Sequence, residues 1–269
     1  MRQLSLVVVL LVSVSGCTLT QRRDTERVIA GALISDEQEF QLGLQVHEQL
    51  KKENTRFLEN PAVEIYVESL ARKLLVSANK ERPMEWKWFV IDDPATVNAF
   101  ATPGGRIYVY TGLLLAAENE AEVIGVLGHE MGHVVGRHSA RQLVGAYGLQ
   151  TVINMALGQD AADVAKITAG LAGKTAQLAY GRDNEHEADV YGARYASAAG
   201  YDPRGLATFF EKLKAKYGDS GPVLAFFSTH PSTSERINNV TAQIASENLT
   251  GKELGIDSLK QVQAALGKK

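Results

Sequence analysis

The 269-residue chain is 45% hydrophobic and 22% charged, carries a net charge of −3, and has one cysteine. That composition is globular, offers no basic patch to a nucleic acid, and excludes an internal disulfide or a cysteine cage for zinc. The length fits one elaborated domain or two small ones.

Met1 to Gly16 has a positive Arg2, an apolar run from Leu4 to Val12 broken only by Ser5, and small residues after it. This is the layout of a secretory signal, too short to span a bilayer. Its end, Val14-Ser15-Gly16-Cys17, resembles the bacterial lipoprotein box. The resemblance implies a signal peptide over residues 1–16 and lipid on Cys17. With Thr18 in place of Asp, it also implies a periplasmic protein anchored to the inner leaflet of the outer membrane. Thr18 to Arg27 is polar, with Arg22 and Arg23, and residues 17–34 read as a lipid-anchored tether. No later apolar run is long enough to cross a membrane.

The body is expected over residues 35–250. Ser35-Asp36-Glu37-Gln38 has the pattern of a capping box, and Phe40, Leu42, Leu44, Val46 and Leu50 carry a helix to about Lys52. Asn60-Pro61 starts a second helix, with Val63, Tyr66, Val67, Leu70, Leu74 and Leu75 at helical spacing. His47 has no metal-binding partner one turn away and reads as a packing or surface histidine. Trp86 to Ile91 alternates as a strand. Val97 to Ala101, a Pro103-Gly104-Gly105 turn and a further strand over Arg106 to Tyr110 follow. The expected fold is α+β, mostly helical, with one small sheet whose last strand runs into the next helix. Such a sheet could hold an extended peptide at its edge through main-chain hydrogen bonds. The same pattern equally suits a purely structural hairpin.

That next helix lies within Glu118 to His138 and carries His129-Glu130-Met131-Gly132-His133, the pattern His-Glu-x-x-His. Residues i and i+4 share one helix face, so both imidazoles can reach one ion. Glu130 lies one position round, where its carboxylate can take a proton from water rather than bind the metal. Ala121, Val123, Ile124, Val126, Leu127, Val134 and Val135 supply the apolar surface of a buried helix.

Catalytic zinc takes three protein ligands and leaves a position open. One architecture needs a third histidine six residues after the second, but that place holds Ser139, and His138 is one residue early and points elsewhere. The other needs an acid on a separate helix. Arg182-Asp183-Asn184-Glu185-His186-Glu187-Ala188-Asp189 offers one, and as a metal donor His186 is chemically as capable as Glu185.

His-Glu-x-x-His followed by Glu-x-x-x-Asp on a later helix resembles the M48 family of zinc metalloproteases, which are gluzincins. Asn98-Ala99-Phe100-Ala101-x-Pro103-Gly104-Gly105 and His230-Pro231-Ser232-Thr233-Ser234-Glu235-Arg236-Ile237 are similar to two more of its hallmarks. With the lipoprotein box, the chain resembles the periplasmic lipoprotein branch, involved in quality control of outer-membrane proteins. The resemblance implies one Zn²⁺ per chain on His129, His133 and Glu185, with Glu130 as catalytic acid/base and Asp189 orienting a ligating histidine. It places His230 and Arg236 near the site, His230 as a donor to the oxyanion. Arg236 reads equally as part of a capped turn. Asn98, Ala99, Arg106, Tyr108 and Arg236 are the expected substrate-binding residues.

Gly145 to Gly181 is rich in glycine and alanine and suits two packed helices, a membrane-touching element or a mobile cover; packed helices with some mobility are expected. Tyr201-Asp202-Pro203 starts a helix, another continues past Ile237 to about Glu247, and residues 251–269 read as a polar tail with a short helix over Leu259 to Leu266. The expected function is a zinc endopeptidase acting on unfolded or misassembled envelope proteins. The competing function is a chaperone or assembly factor with minor or latent proteolysis.

Overall fold

A computed structural model describes residues 33–159, 161–171, 180–218, 221–231 and 234–267. The leader, Cys17, most of the tether, and Ser232-Thr233 of the last motif lie outside the described residues.

The first helix, α1 (Asp36–Lys52), starts at the expected capping box: Ser35 Oγ accepts from the Gln38 amide and the Gln38 side chain accepts from the Ser35 amide. After α2 (Pro61–Glu81) come three strands, β1 (Lys87–Ile91), β2 (Ala99–Thr102) and β3 (Arg106–Tyr110). β3 lies in the middle, parallel to β1 and antiparallel to β2. The expectation that the last strand runs directly into the metal helix is corrected by the next element. β3 has both sides paired and feeds a short helix, α3 (Thr111–Ala116); only then does α4 (Glu120–Val135) begin. Asn119 makes the break, its side chain accepting from the Glu122 amide.

Strand alternation divides the protein into layers. Ala99, Ala101, Ile107 and Val109 face a core shared with α2 and α4. Phe100, Tyr108 and Tyr110 face the other way, onto Leu42, Val46 and Leu50 of α1. That second layer also holds α5 (His138–Tyr147), α6 (Leu149–Ala156) and α7 (Ala161–Leu171). α6 and α7 pack on α1 and on each other, as expected of two packed helices, and α7 also lies against β2.

Every residue of α4 is buried. Its main partner is α8 (Arg182–Ala198). The two backbones nearly touch: a Cβ on Gly128 would stand 3.1 Å from Gly192 Cα, and one on Gly132 would stand 3.0 Å from Ala188 Cα. Glycine is needed here for space, and the closeness brings acids of α8 within reach of histidines on α4. α9 (Gly205–Tyr217) and α10 (Leu224–Thr229) complete this layer, with α11 (Ser234–Ser246) packed outside α8.

At the end of α4, Arg137 turns the chain with φ 57°, a left-handed conformation costing a non-glycine residue about 1–2 kcal/mol. Its guanidinium donates to Ile34 O and pairs with Glu39 and Asp36, holding the turn. The expected polar tail is docked: α12 (Ile256–Ala265) buries Leu259 in the main core, and Gln263 donates to the carbonyls of Leu114 and Ala117. No helix among the described residues is long and apolar enough to cross a membrane.

Candidate metal centre

The helical spacing of α4 brings the rings of His129 and His133 together, with 3.0 Å between their Nε2 atoms. From α8, Glu185 Oε1 stands 3.3 Å from His133 Nε2, and Oε2 stands 3.6 Å from His129 Nε2. His230, just after α10, places Nδ1 3.1 Å from Glu185 Oε1 and 3.3 Å from His129 Nε2. These four residues form a buried group able to hold one metal ion. A tetrahedral zinc with bonds of about 2.0–2.1 Å puts its donors about 3.3 Å apart, so the spacing fits. The donor set, two or three imidazoles and a carboxylate, is zinc chemistry. Glu185 is in the set; His186 is not, and lines a groove between α8 and α11 and the cavity beside the donors.

Asp189, one turn after Glu185, places Oδ1 2.9 Å from His129 Nδ1. Arg236 of α11 clamps both acids. Its Nε and Nη2 donate to the two Asp189 oxygens at 2.8 and 2.6 Å, and Nη1 lies 2.5 Å from Glu185 Oε2. Its guanidinium, expected to bind substrate, is thus engaged with the acids behind the metal site.

Burial shapes the electrostatics. It would raise the Glu185 carboxyl, but Arg236 and His230 overcome it and hold Glu185 well below the usual carboxylate range. It presses His133 well below the ordinary imidazole value, leaving a neutral ring fit for a metal. It pushes Glu130 up, despite the opposing pull of His230 and His129. A buried carboxylate with a raised pKa is a better base than a solvated one. Glu130 accepts from the Ala101 amide, while its Oε1 makes no hydrogen bond among the described residues and lies 3.5 Å from His230 Nε2.

Not every expected site residue joins this group. Asn98 precedes β2, and its carbonyl accepts from the Tyr110 amide. That bond sets the ladder so that the main-chain groups of Ala99 and Ala101 point to the sheet's outer edge. Arg106 and Tyr108 sit on the central strand with their side chains on the far face. Arg106 donates to Phe40 O, and the Tyr108 hydroxyl hydrogen bonds to His47 Nδ1, so His47 is a packing residue. The structure also adds residues the motifs did not announce. The Tyr180 ring stacks on His133 with centroids 3.9 Å apart, and its hydroxyl bonds to Ser139. His138 places Nδ1 2.9 Å from His133 Nδ1 and Nε2 3.2 Å from Glu187 Oε2. The acid run around Glu185 held a signal for Glu187. A cavity of about 690 Å³ lined by Tyr180, Glu185, His186, Pro231 and Arg236 opens beside the donors.

A buried His-Glu-x-x-His helix completed by an acid from an antiparallel neighbour defines a zinc metallopeptidase site of the gluzincin type. Residues 58–244 match Peptidase family M48, and the chain belongs to that family, whose metal is zinc. It is 30% identical over 220 residues to the putative beta-barrel assembly-enhancing protease of Vibrio cholerae, covering 78% of this chain and 45% of that protein. It is 31% identical over 222 residues to the beta-barrel assembly-enhancing protease of Escherichia coli K12, covering 77% and 44%. The mitochondrial metalloendopeptidase OMA1 of Schizosaccharomyces pombe is 33% identical over 177 residues, covering 65% and 51%. The chain spans about half the length of these curated relatives.

Proposed function

We propose that the protein is a zinc-dependent endopeptidase acting on unfolded or misassembled proteins of the bacterial cell envelope, held at the membrane by lipid on Cys17 after removal of residues 1–16. The observation that carries the reading is the convergence of His129, His133 and Glu185 with a buried Glu130 carboxylate beside them. The lipoprotein box and the beta-barrel assembly in the names of two relatives support the location and the substrate class.

Bound at this centre, zinc supplies Lewis-acid polarisation of a scissile carbonyl and acidifies water. Glu130 takes the proton of the attacking water and delivers it to the leaving amine. Asp189 and Arg236 hold His129 and Glu185 in register. An extended substrate can pair with the outer edge of β2, through the main-chain groups of Ala99, beside Glu130. That pairing needs no particular sequence, which suits unfolded clients.

Glu130→Gln in the full zinc-loaded chain tests the base. We expect unchanged zinc content and cleavage of an unfolded model protein reduced at least about 100-fold; a variant that cut as well as wild type would remove Glu130 from this role. A second reading, a client-holding assembly factor with latent proteolysis, is favoured by the closed donor set. With His230 as a fourth ligand the metal has no open position. His230→Ala separates the two roles of that residue. Cleavage rises if His230 closes the site and falls if it stabilises the oxyanion. If neither wild type nor His230→Ala cuts while both hold zinc, the second reading takes over.

A further inference from the structure

We propose that His138 and Glu187 form a positioning relay behind His133, fixing the ring and tautomer of this metal-binding histidine as Asp189 does for His129. The inference rests on the zinc site above and deepens it.

The proton count admits one arrangement. His133 turns Nε2 to the other donors, so for that nitrogen to bind a metal the hydrogen must sit on Nδ1. Among the described residues, His138 Nδ1, at 2.9 Å, is the atom placed there to accept it. His138 must then carry its own hydrogen on Nε2, which lies 3.2 Å from Glu187 Oε2. Two neutral imidazoles and one carboxylate satisfy every bond. Were the hydrogen of His138 on Nδ1, two N–H groups would confront each other and Glu187 would face a bare nitrogen.

The surrounding chain is built to put His138 there. After α4 the backbone turns through the strained left-handed Arg137, which folds His138 back under the helix it has just left. Gly136 makes room for the ring: a Cβ at that position would stand 2.3 Å from His138 Nε2. His138 is fully buried and Glu187 nearly so, which a solvated acidic helix start does not explain. Arg141 of α5 is the cation whose charge reaches His138 from its own helix, and Glu185 is the other acid facing it from α8. The helix α8 thereby serves both histidines: Asp189 backs one directly, and Glu187, two residues before it, backs the other through an intervening imidazole.

The test compares the full chain with His138→Phe, Glu187→Gln, the double variant and His138→Gln. The readouts are zinc affinity by competition with a chromophoric chelator and the visible spectrum of the cobalt(II)-loaded protein. His138→Phe should weaken zinc about 10- to 100-fold and shift the cobalt bands. Glu187→Gln should do less, and the double variant no more than His138→Phe, because the acid acts through the histidine. His138→Gln, whose amide can accept from one side and donate to the other, should recover part of the loss. Affinity within about twofold of wild type and an unshifted spectrum in His138→Phe would overturn the relay, as would losses that simply multiply in the double variant. If His138→Phe does not fold, unchanged affinity in Glu187→Gln overturns it alone. A wild type that holds no zinc overturns the metal centre itself, an outcome distinct from tight zinc in an undisturbed His138→Phe.

Discussion

The two faces of the sheet are built by different means. On the metal side, α4 and α8 touch backbone to backbone across glycines, and Arg236, Asp189 and Glu185 are joined by directed, charged contacts. On the other side, α1, α6 and α7 are held chiefly by apolar side chains: Leu42, Val46 and Leu50 against Val152, Met155, Val164 and Ile167. Charged hydrogen bonds and close-packed backbones tolerate little displacement. Apolar contacts are non-directional and can be remade after a shift. The metal side is therefore the stiffer seat, while the apolar layer is the one that can shift at lower cost.

The sharpest way to break this contrast is Arg236→Met. It leaves the Glu185 and Asp189 carboxylates buried without their cation, a loss of about 3–5 kcal/mol. Urea unfolding of the zinc-stripped protein should show the whole loss, and the zinc-loaded protein less, because the metal restores positive charge beside Glu185. Equal losses in both forms would mean that the metal and Arg236 do not share those acids. Gly132→Val comes next. Its side chain must push against Ala188, so α4 and α8 separate, at a cost of about 1–3 kcal/mol, and Glu185 retreats from the histidines. Zinc affinity should fall together with stability. Normal affinity in a destabilised variant would show that the seat adjusts more freely than its packing suggests.

The seat was also the more legible face. His129 and His133 follow from helical spacing, and the acid run of α8 stands out because so many charges between apolar segments need a reason. What resisted reading depends on chain direction and strand order. His138 is one residue early for a third ligand, and counting along a continuing helix sends it away from the metal. The left-handed turn at Arg137 reverses that, and a non-glycine residue gives no warning of such a turn. Arg106 and Tyr108, expected to bind substrate, stand on the strand before the metal helix. Sequence order does not reveal that β3 pairs on both sides, so those side chains face α1. The docking of α12 was hidden for a similar reason. Two apolar residues in a polar segment, Leu259 and Val262, suffice to seat it, and Gln263 bonds to carbonyls far away in the chain.

The smallest predicted effect is the most direct probe of the contrast. Ile167 is fully buried on α7, in the apolar cluster on the face of the sheet turned to α1. Ile167→Val removes one methylene, so it should cost about 0.5–1.5 kcal/mol in urea unfolding, with partial collapse of the neighbours setting the value. If the two layers are as separate as their contacts imply, zinc affinity of the folded protein stays within about twofold of wild type. Cleavage of an unfolded protein should likewise stay within about twofold, since the change lies in the apolar cluster on the face of the sheet turned to α1. A fall in zinc affinity matching the loss of stability would show instead that the apolar layer clamps the metal side through the sheet, and the division into two separate layers would fail.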